Sequence, residues 1–201
     1  MRLKLLVLGM FLGGLLGTFY FLMKQFEPDS IKSGRKLEES RPIGAFSLFD
    51  QDNKPFNENH LKGKWSVVTF GFTSCPDVCP SAMAAYRDEI ELLEEALPKI
   101  QFIFVTVDPD RDTPEKLKSY LSYFHPEIIG LTGSISQTEA FANTFKVYFQ
   151  KLNSSENYNM AHSPQFFLID PLGSWTAMYT PPLSRGVLAM DLSRIVRKTT
   201  L

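Results

Sequence analysis

Two cysteines stand four positions apart in the stretch GFTSCPDVCP (71–80), and a proline follows each of them. They are Cys75 and Cys79, and the chain of 201 residues contains no other cysteine. Thiols at this spacing can form a structural disulfide, exchange with the disulfide of a partner, or bind a soft metal ion such as Cu(I) or Zn(II). A structural disulfide would close a loop of about five residues, for which chain entropy gives only ~2 kcal/mol. The pair therefore favours a redox or metal site over a structural disulfide.

A metal site built on two thiolates needs a further ligand, and the chain offers three histidines. His60 lies in the polar stretch NENHLKGK and is expected to be solvated. His125 lies at the predicted end of a helix, where the helix dipole alone favours a cation. His162 comes just before the apolar run PQFFLID, at the edge of the predicted sheet that should also carry the cysteines. Topology therefore favours His162 as the third ligand.

A buried strand and a helix are predicted on either side of the cysteines. The continuous apolar run WSVVTFGF (65–72) is typical of a strand covered on both faces. Apolar residues then recur at steps of three and four, which predicts an amphipathic helix ended by Pro98: Met83, Tyr86, Ile90, Leu93 and Leu97. Pro80 fits the first helical position and would leave both thiols in the preceding turn. Free N–H groups at that helix N-terminus should favour the thiolate form.

The rest of the chain alternates strands with helices. Further strands are predicted in AFSLFDQDNKPF, IQFIFVTVD, EIIGLTG and PQFFLID, the last continuing through the turn DPLG into a hairpin. Three further helices should begin at Thr113, at a capping box of Ser136 and Glu139, and at Ser184. The order β-β-β-α-β-α-β-α-loop-β-β-α predicts an α/β fold with a mixed central sheet flanked by helices. The cysteine pair at the junction of a buried strand and the next helix is the arrangement of a thioredoxin-like domain, which we therefore predict.

The first 24 residues predict a membrane anchor. Residues 5–23 carry no charge and, as a helix, would span ~30 Å of hydrocarbon. Arg2 and Lys4 precede this run, which favours a cytoplasmic N-terminus and an exported domain; a cleaved signal peptide is the alternative. We predict a signal-anchor at 1–24, a polar tether at 25–41 and one domain at 42–201. No Arg- and Ser-rich transit segment precedes the anchor, which favours a bacterial inner membrane and periplasm over a mitochondrion.

Four stretches resemble the Sco/SenC family of membrane-anchored, thioredoxin-like copper proteins. They are GFTSCPDVCP, FVTVDPDRDTPEKLKSYLSYF, GLTG with the following FKVYFQK, and HSPQFFLIDPLG, and they occur in the family's order over residues 42–197. The resemblance implies that Cys75, Cys79 and His162 are copper ligands. Two thiolates and an imidazole suit Cu(I) and leave one face open, whereas Cu(II) would take a further ligand or a water.

The resemblance also implies a function in assembling the respiratory chain. A metallochaperone of this family delivers copper to the Cu(A) site of cytochrome c oxidase. The expected partners are the copper-bearing subunit of the oxidase, or another copper acceptor, and periplasmic proteins that donate copper or reduce thiols. The alternative is an enzyme, a periplasmic thiol–disulfide oxidoreductase with Cys75 and Cys79 as its redox-active pair; a peroxidase of the peroxiredoxin type is a third, less favoured class. The net charge of −1 gives no sign of a nucleic-acid partner.

Two positions bear on the choice between copper delivery and thiol exchange. Ala161 stands where the family commonly has an acidic residue before the histidine, which removes one candidate partner of the ligand. Pro164 stands where thioredoxins carry a cis-proline facing their cysteines, a feature that would favour exchange. The weaker candidate residues are turn acids that could orient a partner or hold a cation, and one thioether: Asp77, Asp108, Asp110, Asp112 and Met160.

Overall fold

The computed structural model describes residues 31–153, 158–162 and 164–199. A compact unit starts at Ile31. The anchor predicted at 1–24 lies outside the described residues. Among the helices that are described, none is long and apolar enough to cross a membrane.

One mixed sheet of eight strands dominates the described residues, with the order β1-β10-β9-β4-β5-β6-β2-β3, while β7 and β8 pair with each other as a separate hairpin. Strands β4, β5 and β6 are parallel, and the other neighbours in the sheet are antiparallel. The strands are β1 (Arg35–Pro42), β2 (Ser47–Asp50), β3 (Pro55–Asn57), β4 (Trp65–Gly71), β5 (Ile100–Thr106), β6 (Ile128–Thr132), β7 (Phe149–Lys151), β8 (Met160–His162), β9 (Phe166–Ile169) and β10 (Ser174–Tyr179).

Helices cover both faces of this sheet. One hydrophobic cluster joins the first face to α1, α2 and α4, and a second joins the opposite face to α3. This arrangement confirms the predicted α/β class, with a mixed central sheet flanked by helices. The helices are α1 (Val78–Glu91), α2 (Pro114–Ser122), α3 (Ile135–Thr144) and α4 (Val187–Thr199), and short 3₁₀ segments run over Glu58–Leu61 and Glu94–Lys99.

The central strands are apolar on both sides because each side faces a helix layer. In β5, Phe102 and Phe104 belong to the cluster on the first face, whereas Ile103 and Val105 belong to the cluster on the second. Side chains alternate between faces along a strand, so a continuous apolar run fills two cores at once. The strands predicted from WSVVTFGF, IQFIFVTVD, EIIGLTG and PQFFLID are confirmed in this way.

The helix next to the cysteines begins earlier than predicted. It starts at Val78, so Cys79 is its second residue and Pro80 its third. Proline is tolerated there because the first N–H groups of a helix have no partner within it. The helix also ends earlier, at Glu91, and Pro98 lies inside the following 3₁₀ segment.

The other helix starts agree with the sequence only in part. Thr113 caps α2 by accepting a hydrogen bond from the Lys116 N–H, with Pro114 in the first position, as predicted. The capping box of α3, however, is formed by Ser134 and Gln137 rather than by Ser136 and Glu139. Both pairs have the spacing of a capping box, and Ser134 is the one that follows directly on the end of β6 and Gly133. Helix α4 begins at Val187, three residues beyond the predicted start at Ser184.

The domain starts before the predicted boundary at Pro42. Residues 35–42, which the sequence places mostly in the tether, form the edge strand β1 and pair antiparallel with β10. Just before it, the buried carboxylate of Asp191 in α4 accepts hydrogen bonds from the N–H groups of Lys32 and Ser33 at 2.9–3.1 Å. Within the tether predicted at 25–41, the polar residues from Lys32 onward are fixed by one buried acceptor and by backbone pairing in β1.

Removing residues 1–41 should destabilise the domain more than removing residues 1–30. The longer cut deletes β1 and leaves the buried Asp191 without its two backbone donors. We expect the free energy of unfolding to differ by at least about 2 kcal/mol, because a hydrogen bond to a charged group contributes about 1.5–3 kcal/mol. Urea unfolding of the two fragments measures the difference, and equal unfolding free energies would show that β1 is dispensable.

Candidate metal centre

The cysteine turn (residues 72–77) connects the end of β4 to the start of α1. The N–H of Cys75 donates to the Phe72 carbonyl at 3.2 Å and so closes the turn. The N–H of Cys79 points at the Cys75 sulfur, with 3.5 Å between N and Sγ. Both cysteines are free thiols; Cys75 is partly exposed, and Cys79 is only 1% exposed.

The β7–β8 hairpin delivers His162 to these sulfurs. His162 ends β8, opposite Phe149 of β7. Its Nε2 lies 3.3 Å from the Sγ of Cys79, and the ligand atoms of Cys75, Cys79 and His162 all lie within 4.8 Å of one another. The ring of Phe72 meets the imidazole edge-on, with 5.9 Å between the ring centroids. The structure therefore brings together the three residues that the sequence singles out.

This donor set fits a soft metal ion. Two sulfurs and one imidazole nitrogen are the ligands that Cu(I) and Zn(II) prefer, and three donors leave room for a fourth group from an incoming protein. The site is sheltered on the Cys79 side and open on the Cys75 side, as the exposures of the two thiols show. An ion held here would therefore be reached from the side of Cys75.

Burial dominates the acidity of Cys79. It raises the pKa of this thiol, and the hydrogen bond that the sulfur accepts from the Phe72 N–H lowers the pKa by less. The sequence predicts a thiolate favoured by the helix N-terminus, and at Cys79 that prediction is wrong because removal from water outweighs the donors. In the metal-free chain Cys79 therefore holds its proton at neutral pH.

Gly71 allows the Cys79 sulfur to approach the sheet. A Cβ at this position would lie 2.6 Å from Cε2 of Phe104 and 2.9 Å from Sγ of Cys79. Contacts this short do not occur, so any side chain would push the aromatic ring or the sulfur away. The last residue of β4 must therefore be glycine for the thiol to sit where it does.

The acidic turn (residues 108–112) contacts the cysteine turn through Asp112. This carboxylate is fully buried and accepts hydrogen bonds from the N–H of Thr73 at 2.9 Å, from its hydroxyl at 2.5 Å and from the Thr106 hydroxyl at 2.7 Å. Lys116 adds an ion pair at 3.3 Å. The oxygens of Asp112 are thus occupied by protein donors, which supports a structural role over the cation site weighed from sequence.

Asp108, at the other end of the acidic turn, contacts the segment before β8. It accepts hydrogen bonds from the Tyr158 hydroxyl and from Nε of Arg111. The Arg111 guanidinium lies over the Tyr158 ring, 3.7 Å from its centroid. Burial and the hydrogen bond to Asp108 raise the pKa of Tyr158, so its hydroxyl stays protonated as the donor. Asp110 is exposed and pairs with Lys151 at 3.0 Å.

The remaining sequence candidates lie away from the sulfurs or serve local structure. His60 stacks on Phe56 and accepts a hydrogen bond from the Asn57 N–H, and His125 accepts one from the Glu127 N–H. Asp77 is the N-cap residue of α1, but its side chain makes no capping hydrogen bond. Met160 is buried in the hydrophobic cluster on the second face. The Ser163–Pro164 bond includes Ser163, which lies outside the described residues.

Two tyrosines near the site have no counterpart in the sequence interpretation. Tyr158, before β8, donates a hydrogen bond to Asp108 in the acidic turn that follows β5. The Tyr120 hydroxyl is buried and has no hydrogen-bond partner among the described residues. Burial, and then the nearby Cys79 and Cys75, raise the pKa of Tyr120. A tyrosine in an amphipathic helix or a polar loop gives no pattern that marks it as a neighbour of thiols, since the contact depends on tertiary structure.

Comparisons with known proteins agree with this geometry. The SCO1/SenC family model matches residues 34–197. A SCO2-like protein of Rickettsia felis is 37% identical over 177 residues, which are 85% of each chain. The mitochondrial protein SCO2 of Saccharomyces cerevisiae is 40% identical over 167 residues, or 79% of this chain and 56% of that protein. The crystal structure of Arabidopsis thaliana ScoI with copper bound has a TM-score of 0.72 at 32% identity, covering 77% of this chain and 98% of that one.

The family match covers residues 34–197 and includes every stretch that resembles the family. The likeness to the ScoI structure confirms the thioredoxin-like fold class predicted from the cysteine pair at the junction of a buried strand and a helix. The length of the family match and the identity to two relatives go beyond a shared fold. The chain belongs to the SCO1/SenC family.

Proposed function

We propose that this chain binds copper through Cys75, Cys79 and His162 and delivers it to the Cu(A) site of cytochrome c oxidase during assembly. The observation that carries the proposal is that two sulfurs and an imidazole converge within 4.8 Å in a partly buried site. Membership of the SCO1/SenC family supports copper as the ion, and the similar ScoI of Arabidopsis thaliana has been crystallised with copper bound.

The geometry suits an ion that is carried and then released. Three protein donors satisfy Cu(I), which accepts low coordination numbers, without enclosing it. The partly exposed Cys75 lies where a thiolate or imidazole of an acceptor can approach, whereas Cys79 is buried behind it. Copper is the cargo of this protein and is not a resident cofactor. Because one face of the ion stays open, a ligand of the acceptor can bind it before all three donors have dissociated.

The thiol state of the site controls loading. Copper needs both sulfurs, and a Cys75–Cys79 disulfide would remove them as donors. A periplasmic reductant would therefore be a partner as necessary as the copper donor. The same dithiol could instead serve thiol–disulfide exchange, but exchange does not need an imidazole 3.3 Å from the buried sulfur. The position of His162 is what favours copper binding as the principal function.

We place the domain on the outer face of a bacterial inner membrane, held there by residues 1–24. The support is the uncharged run at 5–23 with Arg2 and Lys4 before it. Among similar proteins, one solved structure is a lipoprotein of Bacillus anthracis, and one relative is a mitochondrial protein of Saccharomyces cerevisiae. An anchored domain would meet its membrane-bound acceptor at high effective concentration.

Replacing a ligand should weaken Cu(I) binding by more than about 100-fold, because changes to groups that only orient a ligand already cost about 10–100-fold. The variants are Cys75→Ser, Cys79→Ser and His162→Ala in the reduced chain. Competition with a Cu(I) chelator measures the affinity, and the unchanged chain should bind one copper ion.

His60→Ala and His125→Ala are the matched controls, since each removes an imidazole that the structure places in local contacts away from the sulfurs. Both should leave the affinity for Cu(I) unchanged. If His162→Ala also keeps the full affinity, the proposed site is wrong. If that variant retains rapid exchange of its disulfide with a partner thiol as well, thiol–disulfide oxidoreduction becomes the better account.

The affinity for Cu(I) should rise with pH. Burial raises the pKa of the Cys79 thiol, so near neutral pH the ion must displace a proton from that sulfur. Raising the pH removes this competition, and each proton released makes the affinity up to about tenfold higher per pH unit. Chelator competition at several pH values around neutrality measures the slope. Cys79→Ser should lower the slope, because that sulfur no longer releases a proton on binding. A flat slope in the unchanged chain would contradict the proton displacement proposed for Cys79.

A further inference from the structure

The hairpin that carries His162 stands apart from the main sheet. Strands β7 and β8 have three residues each, and among the described residues they pair only with each other. A two-stranded hairpin of this size is marginally stable by itself. Side-chain contacts with the rest of the domain therefore act together with the short connection to β9 in determining where His162 lies.

Tyr158, two residues before the start of β8, makes several of these contacts. Its hydroxyl donates to Oδ1 of Asp108 at 2.5 Å. The Arg111 guanidinium lies 3.7 Å from the centroid of its ring and donates through Nε to the other oxygen of Asp108. The Asp108 side chain is only 1% exposed and that of Arg111 22%. Because Asp108 is removed from water, the hydrogen bond and the ion pair that it accepts are stronger than the same contacts at an exposed site.

A second contact comes from the opposite strand of the hairpin. The ammonium group of Lys151 in β7 lies 4.4 Å from the centroid of the Tyr158 ring and pairs with Asp110 at 3.0 Å. Both partners of this ion pair are largely exposed, so it holds the hairpin much less firmly. The ring of Tyr158 is thus covered by one cation from the acidic turn and one from the hairpin itself.

The cluster around Tyr158 continues to the imidazole. The Arg111 guanidinium lies 5.9 Å from the centroid of Phe72, and Phe72 packs edge-on against His162. Met160, between Tyr158 and His162 in the chain, is buried in the hydrophobic core. The segment 158–162 is therefore held at Tyr158 and at Met160. These two contacts restrict where the His162 imidazole can lie.

The acidic turn holds the other half of the site as well. Asp112 fixes the cysteine turn through two hydrogen bonds from Thr73, and Asp108 fixes the hairpin through Tyr158. A single short segment of chain, 108–112, thus contacts both segments that bear ligands. A shift of this turn would move the imidazole and the sulfurs relative to each other.

We propose that Asp108, Arg111 and Tyr158 form a clamp that positions His162 against Cys75 and Cys79 and thereby sets the affinity of the site for copper. The three are positioning residues and do not bind the ion. The proposal deepens the proposed function and rests on it. Through this clamp the acidic turn keeps the imidazole in place before the ion arrives, which removes the cost of ordering the hairpin on binding.

Tyr158→Phe in the full-length chain tests the clamp, because it removes only the hydroxyl that Asp108 accepts and keeps the ring. The first readout is NMR of the metal-free chain. We expect weaker proton–proton contacts between the Phe72 and His162 rings and amide exchange in 160–162 faster by about tenfold or more. The second readout is Cu(I) affinity by chelator competition, which should fall about 10–100-fold. Arg111→Lys keeps the charge, loses the planar stack, and should change both readouts in the same direction.

Tyr148→Phe is the matched control, since Tyr148 is 78% exposed, precedes β7 and lies outside the clamp. It should leave both readouts unchanged. If Tyr158→Phe leaves the ring contacts and amide exchange as they are, the clamp is overturned. If the hairpin loosens while copper affinity stays constant, the clamp does not set affinity and the proposal is equally wrong. If the unmodified chain binds no copper, the proposed function fails, and the NMR readout alone decides whether the clamp positions His162.

Discussion

The site depends on the parallel pairing of β4 with β5. Seven registered residue pairs end with Gly71 opposite Thr106, and the Val107 N–H continues the ladder by donating to the Gly71 carbonyl at 2.8 Å. The carboxyl ends of parallel strands meet at one edge of a sheet, so the cysteine turn and the acidic turn leave it side by side. Asp112 can then hold Thr73 although the two residues belong to different strand connections. Antiparallel pairing at this position would separate the two turns by the length of a strand.

Burial of one thiol and exposure of the other divides the chemistry of the pair. Cys79 sits under the sheet edge, against Gly71, and its raised pKa keeps it neutral until a cation replaces the proton. The buried thiol is therefore uncharged before metal binds, which spares the domain an unpaired charge in its core. Cys75 is partly exposed and provides the side from which metal or a partner thiol arrives. The four-residue spacing matters because it places one sulfur in the turn and the other inside the first turn of α1.

What the sequence predicts well is what depends on burial or on local capping. Apolar runs indicated the central strands, and Thr113 with Pro114 marked the start of α2. The placement of Cys75, Cys79 and His162 at one edge of the predicted sheet indicated a common site. Strand β1 was not predicted because RKLEESRP is polar and mostly exposed, so only its backbone pairing makes it a strand. The β7–β8 hairpin was not predicted, because strands of three residues are too short to show an alternation of apolar and polar side chains. The clamp depends on Tyr158 meeting Asp108 across 50 residues, and no local pattern encodes such a contact.

The geometry of the β7–β8 hairpin shows why Ala161 is compatible with a histidine ligand at the next position. An acidic residue is common at this position in the family and would be the neighbour of the ligand in sequence. Its replacement by alanine removes one candidate partner that could orient the His162 imidazole. In β8, however, successive side chains point to opposite faces, so position 161 faces away from the side on which Met160 and His162 lie. On the ligand side the imidazole meets the edge of Phe72, which in turn lies under Arg111. An alanine beside the ligand is thus compatible with an ordered imidazole, because the contacts that orient it come from the cysteine turn and the acidic turn rather than from its neighbour in the chain.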